Sequence, residues 1–362
     1  MKLKIKAEHL KEMVSRAIKG VGNNKLIPIT SLMAIELRNG KLTLITTDAT
    51  NYLYIKKDKV EGKDFYVVVP VEVFSKLVMK MTCETVEMEL KSNCLEVRGN
   101  GNYSIELPLD EDGELVRYPD PMRTVIMDMK PTEISNATIV SILNSVKPAL
   151  AATLEIPCYT GYYVGDTVVA TDTYKISALK AKLLEEPRLI SPEMMNLLAV
   201  FTTEKINVCV MDSTIVFYND DCVVYGTSME GLEEYQIEAI SALVDTEFVS
   251  KCKIAKTHFL QLLDRLSLFV GTYDKNAVVL TFTEKGLQVS SKASSGVELI
   301  PYIESENFED FICSVDIETL TSQVKGQASE TIELYYGLDN AIKMVDGDIT
   351  QIVSLLADGD DE

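Results

Sequence analysis

The sequence predicts an α+β protein built from three copies of one domain, each with two helices packed on antiparallel sheets. Two observations lead to this prediction. Strand-like alternation of apolar and polar residues recurs at intervals of roughly 120 residues, and amphipathic helical stripes recur at the same interval. The chain has 362 residues, which is too many for one ordinary core and fits two or three domains.

The first recurring strand pattern is a turn followed by an alternating strand, and it occurs at 39–48, 165–172 and 284–290. A second alternating pattern occurs at 84–90, 204–210 and 330–336. Alternation is typical of a strand that buries one face. Every repeat is therefore predicted to contain both strands.

Two helices are predicted in every repeat, because apolar residues follow the spacing i, i+3, i+4 and i+7 along one face. The first such stripe is Leu10, Met13, Val14 and Ala17. The six predicted helical windows are 7–20, 70–81, 132–148, 191–203, 257–269 and 315–325. His9 and His258 hold matching positions in the first turns of two of these helices, which indicates a shared repeat register rather than a shared site.

The same patterns predict three domains and a tail, at 1–122, 131–243, 247–356 and 357–362. The acidic, proline-containing stretch 110–131 is predicted to link the first two domains. Residues 1–6 alternate polar and apolar, which predicts a strand rather than a signal peptide. The tail is acidic, and we expect it to be solvated and without structure of its own.

Composition indicates a soluble globular protein, with 46% hydrophobic and 25% charged residues. No apolar run reaches the roughly 18 residues that a membrane span needs. Seven cysteines without a CxxC pair predict reduced thiols in a cytoplasmic protein. Because there are only two histidines, a zinc site is not expected, and no cofactor is predicted.

Familiar catalytic patterns are missing from the sequence. GxSxG, HExxH, GxGxxG and the phosphate-loop pattern ending in Gly-Lys-Ser or Gly-Lys-Thr do not occur. Adjacent carboxylates such as Glu233 and Glu234 are common at this composition and do not indicate an acid–base pair. The sequence therefore predicts a protein that is not an enzyme.

Several local motifs, in their order and spacing, resemble the bacterial DNA polymerase III β subunit, the β sliding clamp family. The first are residues 1–5 with Glu8-His9-Leu10, and Pro28-Ile29 followed by 42–48. The run 169–176 lies where that family has Ala-Thr-Asp-Gly-His-Arg-Leu. The resemblance covers residues 1 to about 356 and implies three clamp domains per chain, forming half of a closed ring. It further implies a processivity factor that encircles duplex DNA and catalyses nothing.

The sequence departs from the family pattern at two places, both where the resemblance implies a pocket for partner peptides. Thr173-Tyr174-Lys175-Ile176 replaces Gly-His-Arg-Leu. The family's end, of the Met-Pro-Met-Arg-Leu type, is here Ser354-Leu355-Leu356-Ala357, with acidic residues to position 362. A divergent clamp of a phage, a plasmid or one lineage would fit both changes.

The formal net charge of −20 argues by itself against nucleic acid binding. However, the six helical windows together carry equal numbers of basic and acidic residues, so the acidic excess lies on strands, loops and tail. The resemblance implies that these helices line the channel around sequence-independent duplex DNA. The candidate phosphate contacts are Lys11, Arg16, Lys19, Lys25, Lys76 and Lys80. Alternatively, these residues are solvated charges on surface helices.

The resemblance also implies that a DNA polymerase and a clamp loader insert short hydrophobic peptides into a pocket of the second and third domains. By position, that pocket would comprise Tyr159, Thr171, Thr173, Tyr174, Lys175, Ile176, Ile352, Ser354, Leu355 and Leu356. Alternatively, residues 352–356 only complete the last strand. Two adjacent leucines cannot both face one core from a strand, so at least one of the pair is expected to be exposed.

A head-to-tail homodimer is expected, because three domains alone would leave strand edges open at both ends. The resemblance implies that the strand with Tyr103 and Ile105 meets the helix end with Phe269 and Val270 of another copy. Alternatively, these four residues are ordinary core. A second functional hypothesis remains open as well: a clamp-fold scaffold or decoy that binds clamp partners without encircling DNA.

Overall fold

The computed structural model of the chain describes residues 2–22, 24, 26–123, 131–271, 276–292 and 295–357. The fold is α+β, as predicted. The helices among the described residues are α1 (Ala7–Ala17), α2 (Val71–Lys80), α3 (Asn136–Ser141), α4 (Pro192–Leu197), α5 (Ile237–Val244), α6 (Lys256–Leu266) and α7 (Ile317–Gly326). Short π or 3-10 turns prolong α1, α3, α4 and α6 at their C-terminal ends.

The strands are numbered in chain order. They are β1 (Lys2–Lys6), β2 (Leu32–Arg38), β3 (Lys41–Thr47), β4 (Tyr52–Lys57), β5 (Glu61–Gly62), β6 (Phe65–Pro70), β7 (Thr85–Leu90), β8 (Cys94–Arg98), β9 (Asn102–Glu106), β10 (Thr132–Ser135), β11 (Tyr162–Val164), β12 (Val168–Thr171), β13 (Lys175–Leu179), β14 (Arg188–Ile190), β15 (Lys205–Met211), β16 (Thr214–Tyr218), β17 (Cys222–Thr227), β18 (Ser250–Ala255), β19 (Ala277–Thr283), β20 (Gly286–Ser291), β21 (Val297–Ile300), β22 (Glu304–Glu306), β23 (Phe311–Asp316), β24 (Thr331–Leu338), β25 (Ala341–Asp346) and β26 (Ile349–Ser354).

All six predicted helical windows contain a helix, and the predicted recurring strands are found as β3, β12 and β20 and as β7, β15 and β24. The window 132–148 differs at its start, where Thr132–Ser135 form a strand paired with β15. Helix α5 was not predicted. The agreement follows from burial: Leu10, Met13, Val14 and Ala17 of α1 are all buried, as their spacing requires.

The chain forms two compact units. Unit 1 comprises Met1–Asn136 with Glu193–Ser228, and unit 2 comprises Ala137–Pro192 with Met229–Glu362. This division arises because sheets extend across the expected domain boundaries. In unit 1, β17 of the expected second domain pairs with β4 of the first. In unit 2, β13 of the expected second domain pairs with β26 of the third. The three-domain division at 1–122, 131–243 and 247–356 therefore remains a proposal based on the repeat.

Unit 1 contains two antiparallel sheets. One has the strand order β5-β1-β7-β8-β9, and the other has the order β10-β15-β16-β17-β4-β3-β2-β6. Helices α1 and α2 pack against each other, and α1 also packs on β3 and β4. The buried faces of the strands and helices together make the core of this unit.

Unit 2 contains a nine-stranded and a four-stranded sheet. Their orders are β14-β11-β12-β13-β26-β25-β24-β18-β22 and β21-β20-β19-β23. Helices α6 and α7 pack against each other, and Phe282 stacks on Tyr336 in the core beneath them with ring centroids 3.8 Å apart. Aromatic burial of this kind contributes strongly to a core.

The stretch 110–131, expected to be a linker, is packed on unit 1 in its described part. Val116, Tyr118 and Met122 join an apolar cluster on the eight-stranded sheet. The amide of Tyr118 donates to the Tyr66 hydroxyl at 2.9 Å, and the Tyr54 hydroxyl donates to Asp120 at 2.9 Å. The expectation of a simple linker is therefore wrong up to residue 123, because tyrosine and valine within the acidic stretch bury against the sheet.

All seven cysteines are free thiols, and five of them are buried. No helix in the described part of the chain is long and apolar enough to cross a membrane. Among the same residues, no group of three or more His, Cys, Asp or Glu side chains is arranged to hold a metal ion.

Candidate functional site

A tight turn connects β12 to β13, and half of the predicted pocket residues lie in it or beside it. The Thr171 hydroxyl donates to the carbonyl of Lys175 at 2.8 Å, and the Asp172 carboxylate accepts from the amides of Tyr174 and Lys175 at 3.0 and 2.9 Å. Thr173 has a φ of 78°, a conformation that favours glycine. The turn directs Tyr174 outward, with 70% of its surface exposed.

The same turn occurs at the equivalent place in unit 1. There the Thr47 hydroxyl donates to the carbonyl of Asn51 at 2.6 Å, and Asp48 accepts from the amides of Thr50 and Asn51 at 2.9 and 2.7 Å. Ala49 has a φ of 86°, matching Thr173. The repeat therefore preserves the hydrogen bonds of the turn although the side chains that the two turns display differ.

Strand pairing brings the turn 171–176 next to the end of the chain. Ile176 is the partner of Ile352, and Lys175 is the partner of Val353, in the ladder between β13 and β26. The amide of Ser354 donates to the carbonyl of Tyr174 at 2.8 Å. Two segments separated by more than 170 residues in the sequence thus form one surface of unit 2.

Tyr159, Ile176 and Ile352 belong to one buried apolar cluster beneath that surface. The Tyr159 ring lies edge-on to Tyr235 with centroids 5.0 Å apart, and the Tyr235 hydroxyl donates to the carbonyl of Val169 at 3.2 Å. An apolar cluster bordered by the polar groups of a turn can bind the hydrophobic side chains of a peptide.

Tyr235, Val244 and Phe248 are among the residues of this cluster that sequence reasoning missed. They lie before, at the end of and after α5, which packs on β26. The helical spacing of Ile237, Ile240 and Val244 was the signal that could have identified α5.

Leu355 and Leu356 are both half-buried, so the expectation that one of them would be exposed is wrong. Strand β26 ends at Ser354, and the two leucines no longer alternate on a sheet. The amide of Leu355 donates to Asn340 at 2.9 Å, and that of Leu356 donates to Ser314 at 2.8 Å. Leu355 packs on the core of unit 2. The acidic residues 358–362 lie outside the described residues.

The candidate phosphate contacts lie on α1, on its short extension and on α2. Lys19, Lys76 and Lys80 are exposed, and Lys11 is half-buried. The Lys76 ammonium is 2.5 Å from the carboxylate of Glu72 one turn earlier, so part of its charge is compensated locally. Lys25 lies outside the described residues.

Arg16 differs from the other candidates because it is only 8% exposed. Its Nε donates to the carbonyl of Val200 at 3.1 Å, and its Nη1 pairs with Asp221 at 2.7 Å. Burial also raises the pKa of the neighbouring Cys222 thiol to about 12. A guanidinium held in this way joins α1 to the turn before β17. Its placement argues against a direct phosphate contact, and we revise the sequence-based assignment accordingly.

The four predicted dimer residues divide into surface and core. Tyr103 is 40% exposed on β9, the last strand of its sheet, and Phe269 is 51% exposed just after α6. Val270 is half-buried against the core of unit 2. Ile105 is only 4% exposed, so the alternative interpretation as a core residue is correct for it. The edge strand β21 adds exposed Val297 and Leu299, which sequence reasoning missed.

A family model described as "DNA polymerase III beta subunit, N-terminal domain" matches residues 1–115. No curated protein matches in a sequence search.

Solved structures of bacterial clamps match the whole chain. The sliding clamp of Bacillus subtilis aligns with a TM-score of 0.85 and 19% identity over 98% of this chain and 99% of that one. The β subunit of Streptococcus pyogenes aligns with a TM-score of 0.86 and 16% identity over 98% and 100%. That of Borrelia burgdorferi aligns with a TM-score of 0.84 and 15% identity over 99% and 100%. The first 115 residues therefore resemble the N-terminal domain of the DNA polymerase III β subunit, and the chain has the fold of the bacterial DNA sliding clamps over 98% of its length.

Proposed function

We propose that this chain is a DNA sliding clamp, a processivity factor that encircles duplex DNA and tethers a polymerase without catalysing a reaction. The observation that carries the proposal is the clamp fold along the entire chain, together with the family match of its first third. A clamp acts by topology, so neither a catalytic constellation nor a cofactor is required.

The charge distribution fits sliding better than tight binding. Exposed Lys19 and Lys80 lie on neighbouring helical segments of a chain with a net charge of −20. A few phosphate contacts, without reading of bases, make binding weak, independent of sequence and sensitive to salt. We propose Lys11, Lys19, Lys76 and Lys80 as these contacts. Lys25 stays a candidate on the basis of the sequence alone, and Arg16 is no longer a candidate because it is buried.

The surface around the turn 171–176 is the proposed site for partner peptides. It combines an apolar cluster, containing Ile176 and Ile352, with the exposed ring of Tyr174 and the backbone of the chain's end. Such a surface fits the hydrophobic anchors of a short segment from a polymerase or a clamp loader. The half-buried Leu355 and Leu356 would form one wall of this site.

A ring requires a second copy of the chain. We propose that β9 of one copy meets β21 of the other, because each is the last strand of its sheet. Tyr103 on one side, and Phe269 with Leu299 on the other, supply exposed apolar surface for this contact. The three repeats of each chain would then form half of the ring.

The test is retention on DNA of different topology. The purified protein is incubated with nicked circular plasmid, or with the same plasmid linearised, and each mixture is separated by gel filtration. A clamp co-elutes with the circle and is lost on linearisation. Equal retention on both forms would contradict encirclement. A decoy scaffold would elute free from both while still binding a partner peptide.

Charge variants test the phosphate contacts separately. The association constant for a short duplex should fall with salt less steeply in the variant Lys19→Ala with Lys80→Ala. The slope of its logarithm against the logarithm of the salt concentration should decrease in magnitude by about 2, since one neutralised phosphate contributes about 0.9. The matched control is Lys63→Ala with Lys285→Ala, which removes two exposed charges from loops. An equal change in both variants would place the DNA contacts elsewhere.

A further inference from the structure

At two places in unit 2, a segment that follows the last strand of a repeat lies beside an edge strand. After β17, the amide of Met229 donates to the carbonyl of Leu189 in β14 at 2.8 Å. After β26, the amide of Leu356 donates to the carbonyl of Ser314 in β23 at 2.8 Å. Both β14 and β23 end their sheets, so these returning segments cover the sheet edges.

In unit 1, the equivalent edge strand is β6, and the returning segment is 107–117. Among the described residues, this segment pairs with itself: the amide of Val116 donates to the carbonyl of Pro108 at 3.1 Å, and Leu109 bridges to Leu115. The Asp110 carboxylate closes its tip by accepting from the amides of residues 112 and 114 at 3.1 and 2.9 Å. The result is a small hairpin, called here the 107–117 hairpin.

Residues of the hairpin and of the edge strand together line a groove of about 800 Å³. Residues 66–68 of β6 form one side, and Leu107, Leu115 and Val116 of the hairpin line the other. The volume falls within the range of about 300–1,000 Å³ that is usual for ligand sites. A groove bounded by a sheet edge and an apolar wall suits an extended peptide, which can add a strand to the sheet.

The charge around the groove selects among possible occupants. Asp110 and Glu114 line it, Glu111 and Asp112 are exposed at the hairpin tip, and Arg117 is a single basic residue in the lining. The excess of carboxylates disfavours nucleic acid and acidic peptides and favours a peptide that carries lysine or arginine.

We propose that the groove between β6 and the 107–117 hairpin is a second docking site, for an extended peptide of a partner protein with alternating apolar and basic residues. The peptide pairs with the edge of β6, its apolar side chains face Leu115 and Val116, and its basic side chains face Glu111 and Glu114. This site lies in unit 1, whereas the surface around the turn 171–176 lies in unit 2.

The test uses a fluorescein-labelled hexapeptide of alternating lysine and valine, and a glutamate–valine counterpart, in fluorescence anisotropy with the full chain. The lysine peptide should bind, and the glutamate peptide should bind at least tenfold more weakly. Glu111→Lys with Glu114→Lys should weaken the lysine peptide about tenfold, because two exposed ion pairs become repulsive. Asp110 is left unchanged because its carboxylate closes the hairpin tip.

The matched control is Glu284→Lys with Asp339→Lys, which makes the same charge change at exposed positions of unit 2 and should leave the affinity within about twofold. Amide hydrogen exchange at residues 66–68 should slow when the lysine peptide binds. Equal affinity for both peptides, equal effects of both variants, or unchanged exchange at 66–68 would each overturn the proposal.

Two further measurements distinguish a peptide site from a contact between two copies of the chain and from the DNA-binding surface. If Glu111→Lys with Glu114→Lys changes the mass of the protein in solution, a second copy of the chain occupies the groove, and the peptide proposal is overturned. The same variant should keep its retention on nicked circular DNA. Loss of peptide binding with normal retention therefore tests the groove independently of the clamp function.

Discussion

Arg16→Met should lower the stability of the protein without changing how its DNA binding depends on salt. The guanidinium of Arg16 is buried, bonded to the carbonyl of Val200 and paired with Asp221. Methionine preserves much of the apolar stem but leaves both acceptors without their donor. Because Arg16 is occupied inside unit 1, its loss removes no phosphate contact.

The magnitude follows from the two contacts and their exposure. A hydrogen bond to a charged group contributes about 1.5–3 kcal/mol, and an acceptor left unsatisfied in the interior costs about 1–3 kcal/mol. The side chain of Asp221 is 35% exposed and can regain water, which reduces the loss. We therefore expect a decrease of about 2–3 kcal/mol in the free energy of unfolding. For a unit of this size, that corresponds to a fall in Tm of roughly 4–12 °C.

The assay is thermal unfolding followed by circular dichroism, combined with a double-mutant cycle. Asp221→Asn should be milder, at about 1–2 kcal/mol, since the amide oxygen can still accept a hydrogen bond. The coupling between the two changes should be about 1–2 kcal/mol. The reasoning is refuted if Arg16→Met leaves Tm unchanged and lowers the salt slope of DNA binding by about 1, as loss of a phosphate contact would.

Two further predictions concern the other surfaces. Tyr103→Asp should yield monomers in sedimentation equilibrium, with an unchanged far-UV circular dichroism spectrum. Ile105→Asp should destabilise the protomer itself, because it buries a charge. A dimer that survives Tyr103→Asp would exclude β9 from the interface. Deleting 355–362 should abolish binding of a labelled hydrophobic partner peptide in anisotropy, and deleting 358–362 should preserve or strengthen it. Equal affinity in all three forms would place the peptide site elsewhere.

The sequence predicted the elements well where periodic burial dictates them. The stripe containing Leu10 and Val14 requires a helix with one buried face, and the alternation at 330–336 requires a strand. It also indicated that the turn at 171–176 and the end of the chain belong to one surface, through the family resemblance. Pairing of Ile176 with Ile352 agrees with that indication.

The sequence did not reveal which charged or apolar residues turn inward. Arg16 has the spacing of a surface cation on an amphipathic helix, yet Asp221 and Val200, both distant in sequence, surround it. Tyr118 lies in an acidic stretch typical of a linker, yet it is buried on the eight-stranded sheet. Helix α5 was missed because it is only eight residues long.

Local sequence was enough to specify the repeated helices and strands, the excess of acidic residues outside the helices and the hydrogen-bonding pattern of the two equivalent turns. These properties depend on periodicity and on neighbours a few residues apart. Tertiary contacts were needed to establish the partners of Arg16, the burial of Ile105 and Leu355, and the groove beside β6. Each of these depends on which distant strand or carbonyl lies nearby. For Arg16, the pairing of β17 with β4 brings the turn that contains Asp221 beside the first repeat.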